Sequence, residues 1–294
     1  MFRSIAEDIR SSFDYGNMII KLIIINVAVF VITALLNAFF PEFYSSNILP
    51  YLALPGDLMT LLYRPWTVIT HMFLHSGLWH LIGNMITLYW FGNIAGDLLG
   101  DRKILPVYIL GGLAGAIFYL LSYQFLPNIG IYALGASAAA LAIVFTAVAT
   151  APEYVVHLLL FGPVRIKFIG LVILFIDIIG TQSNANSGGH IAHLGGTLFG
   201  FWFVYLLGKG VDLSEYFHRF VDFITFKKKK RPVGKATLKV AHRADNITRK
   251  QSKNFVAKTD ISRRVDEILD KIKQKGYDSL TDEEKEVLYQ ASKN

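Results

Sequence analysis

The sequence predicts an all-α polytopic membrane protein: a bundle of six transmembrane helices with cytoplasmic N and C termini, followed by a small cytoplasmic helical hairpin. Three observations carry this expectation. Of the 294 residues, 53% are hydrophobic and only 17% charged, whereas soluble domains average about 25% charged. The apolar residues gather into six runs, most of them near the ~20 residues that a spanning helix needs. The Lys and Arg residues between those runs fall on alternate sides, which fixes an orientation. Cysteine is absent, so disulfides, thiolate metal sites and cysteine nucleophiles are excluded.

Residues 1–17 form a polar cytoplasmic segment in which Glu7, Asp8 and Asp14 stand among Arg3 and Arg10. No small-residue cleavage site precedes the first apolar run, so a removable signal peptide is not expected. Residues 18–208 form the membrane domain, with spans expected at about 18–40, 78–97, 104–126, 137–151, 165–181 and 190–208. Arg3, Arg10 and Lys21 flank the start of the first span, Arg102 and Lys103 separate the second from the third, Arg165 and Lys167 precede the fifth, and Lys209 follows the sixth. The outer loops contain only Arg64. By the positive-inside rule both termini are cytoplasmic, in a plasma or inner membrane.

The fourth span is too short. At ~1.5 Å per residue it reaches ~22 Å against a hydrocarbon core of ~30 Å, so its helix starts below the outer surface. The preceding "LPNIGIYALG", with Pro127, Gly130 and Gly135, is irregular chain that descends to meet it, which is tolerated where protein covers it or where it lines a wet cavity. Counted from the cytoplasmic ends, Ser137 and His193 lie ~21 and ~22 Å up, and Asn84 and His80 ~20 and ~26 Å up on the second span. Four polar side chains from three parallel spans therefore converge on one level.

Polar groups at that depth are costly and read first as functional. A serine hydroxyl needs a base, and imidazole is the usual one. His80 and Asn84 are spaced i, i+4 and point from one helix face, where an amide and an imidazole N–H can stabilise an oxyanion. The four together suit acyl transfer. Taken singly, each has a plainer role: Ser137 as a small residue where helices cross, His193 and Asn84 as satisfied hydrogen-bonding groups. In "HIAHLGGTLFGF" His193 shares a face with Gly196 and Gly200, and on the fourth span Ser137, Ala140 and Val144 make a similarly slim face; these are the surfaces expected to meet. Gly111, Gly112 and Gly115 of "GGLAG" are read as packing residues.

With these residues in place the chain resembles the rhomboid family of intramembrane serine proteases over about residues 18–208. The resemblance is carried by "HLIGN" (His80 and Asn84), "GAS" (Gly135 and Ser137) and "AHLGGTLFG" (His193), with "THMFLHSGLWH" as a similar lead-in. It implies a rhomboid-type six-helix bundle in which Ser137 is the nucleophile and His193 the general base of a dyad. It further implies that His80, Asn84 and the Ser137 backbone N–H form the oxyanion hole and that Gly135 shapes the loop. The implied substrates are transmembrane helices, cut near their outer ends where they are locally unwound, and no cofactor is implied. Residues 41–77 correspond to the family's partly submerged first outer loop. Three positions depart from the pattern: Ala138 where Gly is frequent, Leu141 where some relatives place an aromatic residue, and Trp66-Thr67 with Arg64 nearby in place of a Trp-Arg pair. The alternative function is a catalytically silent, rhomboid-like factor that binds membrane proteins or serves their quality control; a six-span transporter is a more distant one.

His71, His75 and His80 form an H-x3-H-x4-H run without the Glu of H-E-x-x-H zinc proteases, so no metal is expected and hydrogen bonds that tie down the loop are. His190 lies one turn before His193, outside the motif, and is not assigned as the base. Asp177, in "LFIDIIG", is read as structural, with orientation of a histidine, or hydrogen-bond donation when protonated, as its alternatives.

Residues 209–260 comprise the amphipathic "DLSEYFHRFVDFITF" and a basic linker. From Lys227 to Lys258 there are 12 basic residues against one acidic, Asp245, and anionic inner-leaflet lipid is the expected partner; no nucleic acid is expected. Residues 261–294 predict the hairpin. Val265, Ile268, Leu269 and Ile272 have helical spacing, Gly276 suits a C-cap, and Thr281 with Glu284 forms a capping box.

Overall fold

A computed structural model describes residues 7, 10–14, 16–127, 129–158, 161–182, 186–225, 264–273 and 276–292. They form two compact units divided after Lys228. The first contains helices α1 (Met18–Phe39), α2 (Leu78–Leu99), α3 (Ile104–Phe125), α4 (Ser137–Thr150), α5 (Ile166–Gly180), α6 (Ser187–Gly208) and α7 (Leu213–Ile224). Short helical turns between residues 41 and 73 join α1 to α2. Among the described residues, three helices are long and apolar enough to cross a membrane: Met18–Phe39, Asp101–Phe125, which includes a turn before α3, and Ser187–Gly208. This is a membrane protein. Its outward faces carry large apolar side chains, among them Ile32 and Leu35 on α1, Phe175 and Ile179 on α5, and Trp202 on α6, far more than a water-soluble surface tolerates in one band.

The fourth helix occupies the centre of this unit. Every residue from Ala138 to Val148 is buried, in contact with α2, α3, α5 and α6. Such closeness requires small residues at the crossings. A Cβ on Gly196 would lie 2.1 Å from the Ala138 carbonyl oxygen, and one on Gly200 would lie 2.5 Å from that of Ala142. From the other side, a Cβ on Gly111 or Gly115 would lie 2.1 and 2.5 Å from the methyls of Ala142 and Ala138. Helix α6 thus meets α4 at Ser137, which reaches His193 at 2.7 Å as expected, and at the backbone of Ala138 and Ala142. The glycines of α3 take the methyls of Ala138 and Ala142, and Ala140 lines the neighbouring cavity.

Two differences are local. Helix α6 begins at Ser187 rather than 190, and in its added first turn Gly188 packs closely on Tyr119 and Ile129. The described residues also contain two short antiparallel ladders that an all-helical reading omits. Strands β1 (Leu54–Pro55) and β2 (Tyr132–Ala133) join the first loop to the chain entering α4. Strands β3 (Val155–Leu158) and β4 (Gly162–Arg165) form a hairpin between α4 and α5, with Gly162 at φ +69° at its turn.

The turn between α2 and α3 meets the start of α7. Lys103 pairs with Asp212, whose other oxygen caps α7 through the Ser214 N–H at 2.9 Å, and His218 Nε2 donates to the Arg102 carbonyl at 2.9 Å. Partial burial works against the charged form of Asp212, yet the hydrogen bonds from Lys103 and Ser214 outweigh it and hold its carboxyl below the usual carboxylate range. Tyr216, Phe220, Phe223 and Ile224 remain exposed along one side of α7.

The second unit contains helix α8 (264–273) and helix α9 (Asp282–Ser292). Gly276 adopts φ +80°, and its N–H closes the first helix on Ile272. The Thr281 N–H donates to Glu284 at 2.8 Å and the Glu284 N–H to Thr281 Oγ1 at 3.3 Å, a reciprocal cap. The basic run from Lys227 to Lys258 lies outside the described residues.

Candidate active site

The approach to α4 is stitched to the first loop. Besides the β1–β2 pair, Tyr119 Oη donates to the Gly130 carbonyl at 2.6 Å, the Gly56 N–H to Ile131 at 3.0 Å and the Gly135 N–H to His71 at 2.9 Å. Irregular backbone packed inside a protein needs such partners. Gly135 is at φ +135°, and a Cβ there would lie 3.0 Å from the His80 ring and 3.5 Å from Ser137 Oγ. Only glycine can turn the chain into α4 while leaving both groups their places.

Ser137 is the first residue of α4, so its backbone N–H is among the donors that helix geometry leaves without an intrahelical partner. Its Oγ lies 2.7 Å from His193 Nε2. The opposite side of that ring, Nδ1, lies 2.8 Å from Asp177 Oδ1, and His190 Nδ1 reaches the same oxygen at 2.8 Å. Ser137, His193, Asp177, His190, His80 and Asn84 all line one cavity of about 1140 Å³.

The expected residues therefore meet in two groups. Ser137 and His193 are in direct contact. His80 and Asn84 face the same cavity but bond elsewhere: His80 Nδ1 to Ser76 Oγ at 3.1 Å, and Asn84 Nδ2 to the His80 carbonyl at 2.8 Å. Because Ser76 occupies Nδ1, the Nε2 edge of His80 is the one beside Gly135. His71 ties the loop as expected, through Nδ1 to Thr67 at 2.8 Å. His75 does not: both its ring nitrogens are buried without a hydrogen-bond partner among the described residues, since its ring packs on that of His80 instead. Among the described residues, the group of His and Asp side chains close enough to share a metal ion is Asp177, His190 and His193, whose nearest atoms lie within 4.8 Å, and not the H-x3-H-x4-H run.

A Rhomboid domain model matches residues 63–210, half of the chain and every residue of this cavity but Leu54. The chain belongs to the rhomboid family. Similar proteins include the RHOMBOID-like protein 12, mitochondrial, of Arabidopsis thaliana, 30% identical over 61% of this chain and 55% of its own length. The Rhomboid protein 1, mitochondrial, of Saccharomyces cerevisiae is 28% identical over 67% and 55%. The human Presenilin-associated rhomboid-like protein, mitochondrial, is 31% identical over 45% and 35%. The chain thus spans about half or less of the length of these relatives. A family of unknown function, DUF6576, matches residues 256–294.

Within this rhomboid domain the three departures are accommodated by packing. The Ala138 methyl faces Gly115, away from the Ser137 hydroxyl, and Leu141 lines the cavity. Arg64 donates to the Pro50 carbonyl at 2.8 Å and stacks over Tyr51 at 4.0 Å, while Trp66 Nε1 donates to the Tyr51 carbonyl at 2.8 Å. The two side chains fasten the first loop to itself.

Sequence reasoning under-read Asp177 and His190. The signal was present in their chemistry, since a carboxylate on an apolar span needs a partner. Their spacing along the chain could not supply it, because α5 and α6 had first to be docked.

Proposed function

We propose that this rhomboid is an intramembrane serine endopeptidase that cleaves transmembrane segments of other membrane proteins. The observation that carries the reading is the 2.7 Å contact between Ser137 Oγ and His193 Nε2 at the wall of a roomy cavity. Ser137 Oγ attacks the scissile carbonyl carbon as its proton passes to His193 Nε2. The negative charge that develops on the carbonyl oxygen is met by the Ser137 N–H at the positive end of α4, by the His80 Nε2 edge and by the remaining Asn84 amide proton. The C–N bond then breaks, His193 returns the proton to the leaving amine, and water hydrolyses the acyl-serine by the same path. A helical substrate must unwind to enter, because its carbonyls are otherwise occupied by helix bonds.

Fluorophosphonate labelling of purified protein tests this. Wild type should label, and Ser137→Ala and His193→Ala should not; equal labelling of wild type and Ser137→Ala removes Ser137 as nucleophile. A silent binding factor would show no labelling and no cleavage of a helix-destabilised reporter.

The same reading has α1 to α6 crossing the bilayer six times, with both termini on the side of Arg102, Lys103 and Lys209. It is supported by the contacts of Arg102 and Lys103 with the start of α7, which put two basic junctions at one end of the bundle. Residues 1–17, 18–208, 209–260 and 261–294 would then be the tail, membrane domain, surface helix with linker, and hairpin. The apolar side of α7 and the basic run after it suit an anionic leaflet. The relatives named mitochondrial make an inner mitochondrial membrane the location to test beside a plasma membrane. Because the chain has no cysteine, single cysteines report sidedness directly. An impermeant maleimide added outside should modify Ser45→Cys and spare Ser292→Cys; the reverse pattern would overturn the orientation.

A further inference from the structure

Helix α5 is apolar outward, with Leu171, Val172, Phe175, Ile176, Ile178 and Ile179 exposed. Its one acidic residue, Asp177, points inward and is 4% exposed. A carboxylate in that position is retained only at a cost, and what it does there is visible in its partners. Two imidazoles three residues apart on α6 converge on a single oxygen, each Nδ1 at 2.8 Å from Asp177 Oδ1. The other oxygen, Oδ2, is buried without a partner among the described residues.

A carboxylate oxygen is acceptor-only, so each Nδ1 must be the donor. An N–H on Nδ1 leaves the lone pair of a neutral imidazole on Nε2, and in His193 that atom faces the Ser137 hydroxyl. The second donor has a separate purpose. His190 does not touch Ser137; its ring is fitted over Gly180, where a Cβ would come within 2.5 Å of three ring atoms. It holds the same carboxylate oxygen as His193 and so fixes the point from which His193 hangs.

We propose that Asp177, clamped by His190, is a positioning residue that holds His193 in the tautomer and orientation needed to accept the Ser137 proton. The dyad is thereby extended into a four-residue array drawn from three helices. When His193 becomes imidazolium, its new charge lies against a carboxylate already in place, with no reorganisation required. The inference rests on the proposed serine chemistry.

The test is steady-state cleavage of a helix-destabilised transmembrane reporter by the full chain, together with fluorophosphonate labelling rates. Loss of a triad carboxylate in a soluble serine protease lowers kcat by ~10⁴ with the geometry intact. Here Asp177→Asn should lower kcat by about 10²-fold or more with KM changed less than about two-fold, since a tautomer defect leaves substrate binding alone. In a His193→Ala background the same change should cost nothing further, because members of one unit are not additive. His190→Ala, which leaves the carboxylate one donor, should lower kcat about ten-fold, and it keeps the idea testable if Asp177→Asn does not fold. Wild-type kcat in either single variant, with Ser137→Ala inactive, overturns this proposal and leaves the dyad standing. Ser137→Ala as active as wild type overturns the serine reading instead. If a chelator reproduces the Asp177→Asn loss and Zn²⁺ restores it, Asp177 is a metal ligand and the positioning role is wrong.

Discussion

Replacing Gly196 by alanine is the sharpest mechanical test of the site, because it touches no reacting group. The added Cβ would lie 2.1 Å from the Ala138 carbonyl oxygen, 2.8 Å from its carbon and 3.1 Å from its Cα. All three are backbone atoms of α4, which cannot swing aside as a side chain would. Restoring even a tight 3.0 Å contact requires α4 and α6 to part by about 0.9 Å at this level. Gly196 is one turn from His193 and Ala138 is next to Ser137, so most of that separation is transmitted to the serine–imidazole contact. From 2.7 Å the contact opens toward 3.5 Å, beyond useful hydrogen-bond length. A misplacement of about 1 Å costs on the order of 10²-fold in rate, and overpacking of this kind costs about 1–3 kcal/mol in stability. The assay is the fluorophosphonate labelling rate of Gly196→Ala beside its thermal midpoint in the same detergent. Labelling at the wild-type rate would refute the argument that glycine at this crossing sets the distance between nucleophile and base.

Three more outcomes follow from particular contacts. Gly135→Ala combines a strained φ with a Cβ 3.0 Å from the His80 ring; cleavage should fall at least ten-fold, on the order of 1.4 kcal/mol, and a variant with unchanged turnover would show that the loop can yield. Asp212→Ala removes the cap of α7 and the partner of Lys103 and should cost about 1 kcal/mol, the usual worth of such a cap, read as lower thermal stability. Because the folded carboxyl titrates below its ordinary value of 3.8, its contribution is complete above that pH and disappears as the pH falls through the lowered value. The variant should therefore lack that part of the acid sensitivity of wild type; superimposable pH–stability curves would contradict the assignment. Chelators should leave cleavage unchanged, and a loss reversed by Zn²⁺ would revive a metal at Asp177, His190 and His193.

Much of the membrane unit was legible because its signals are local. Apolar runs bounded by Gly, Pro and charge gave helix ends within a few residues, and the short fourth run already put Ser137 at the start of its helix. The i, i+4 spacing put His80 and Asn84 on one face, although Asn84 then spends one amide proton on the His80 carbonyl. What was not legible depends on how helices dock. The slim face expected on α4 named Ser137, Ala140 and Val144, and only docking decided that the glycine crossings fall at Ala138 and Ala142. Two-residue strands such as β1 and β2, 77 residues apart at Pro55 and Tyr132, carry no periodicity to detect. The double bond to Asp177 required the rotation of α5 about its axis, which an almost uniformly apolar sequence leaves open.

The contrast between α4 and α5 has a mechanical consequence. Ser137 heads a helix that is buried from Ala138 to Val148, whereas Asp177 sits on one whose other faces are apolar and turned outward. In the proposed serine chemistry, strain on the outward-facing helix would therefore reach the base through Asp177, and the nucleophile only through the base.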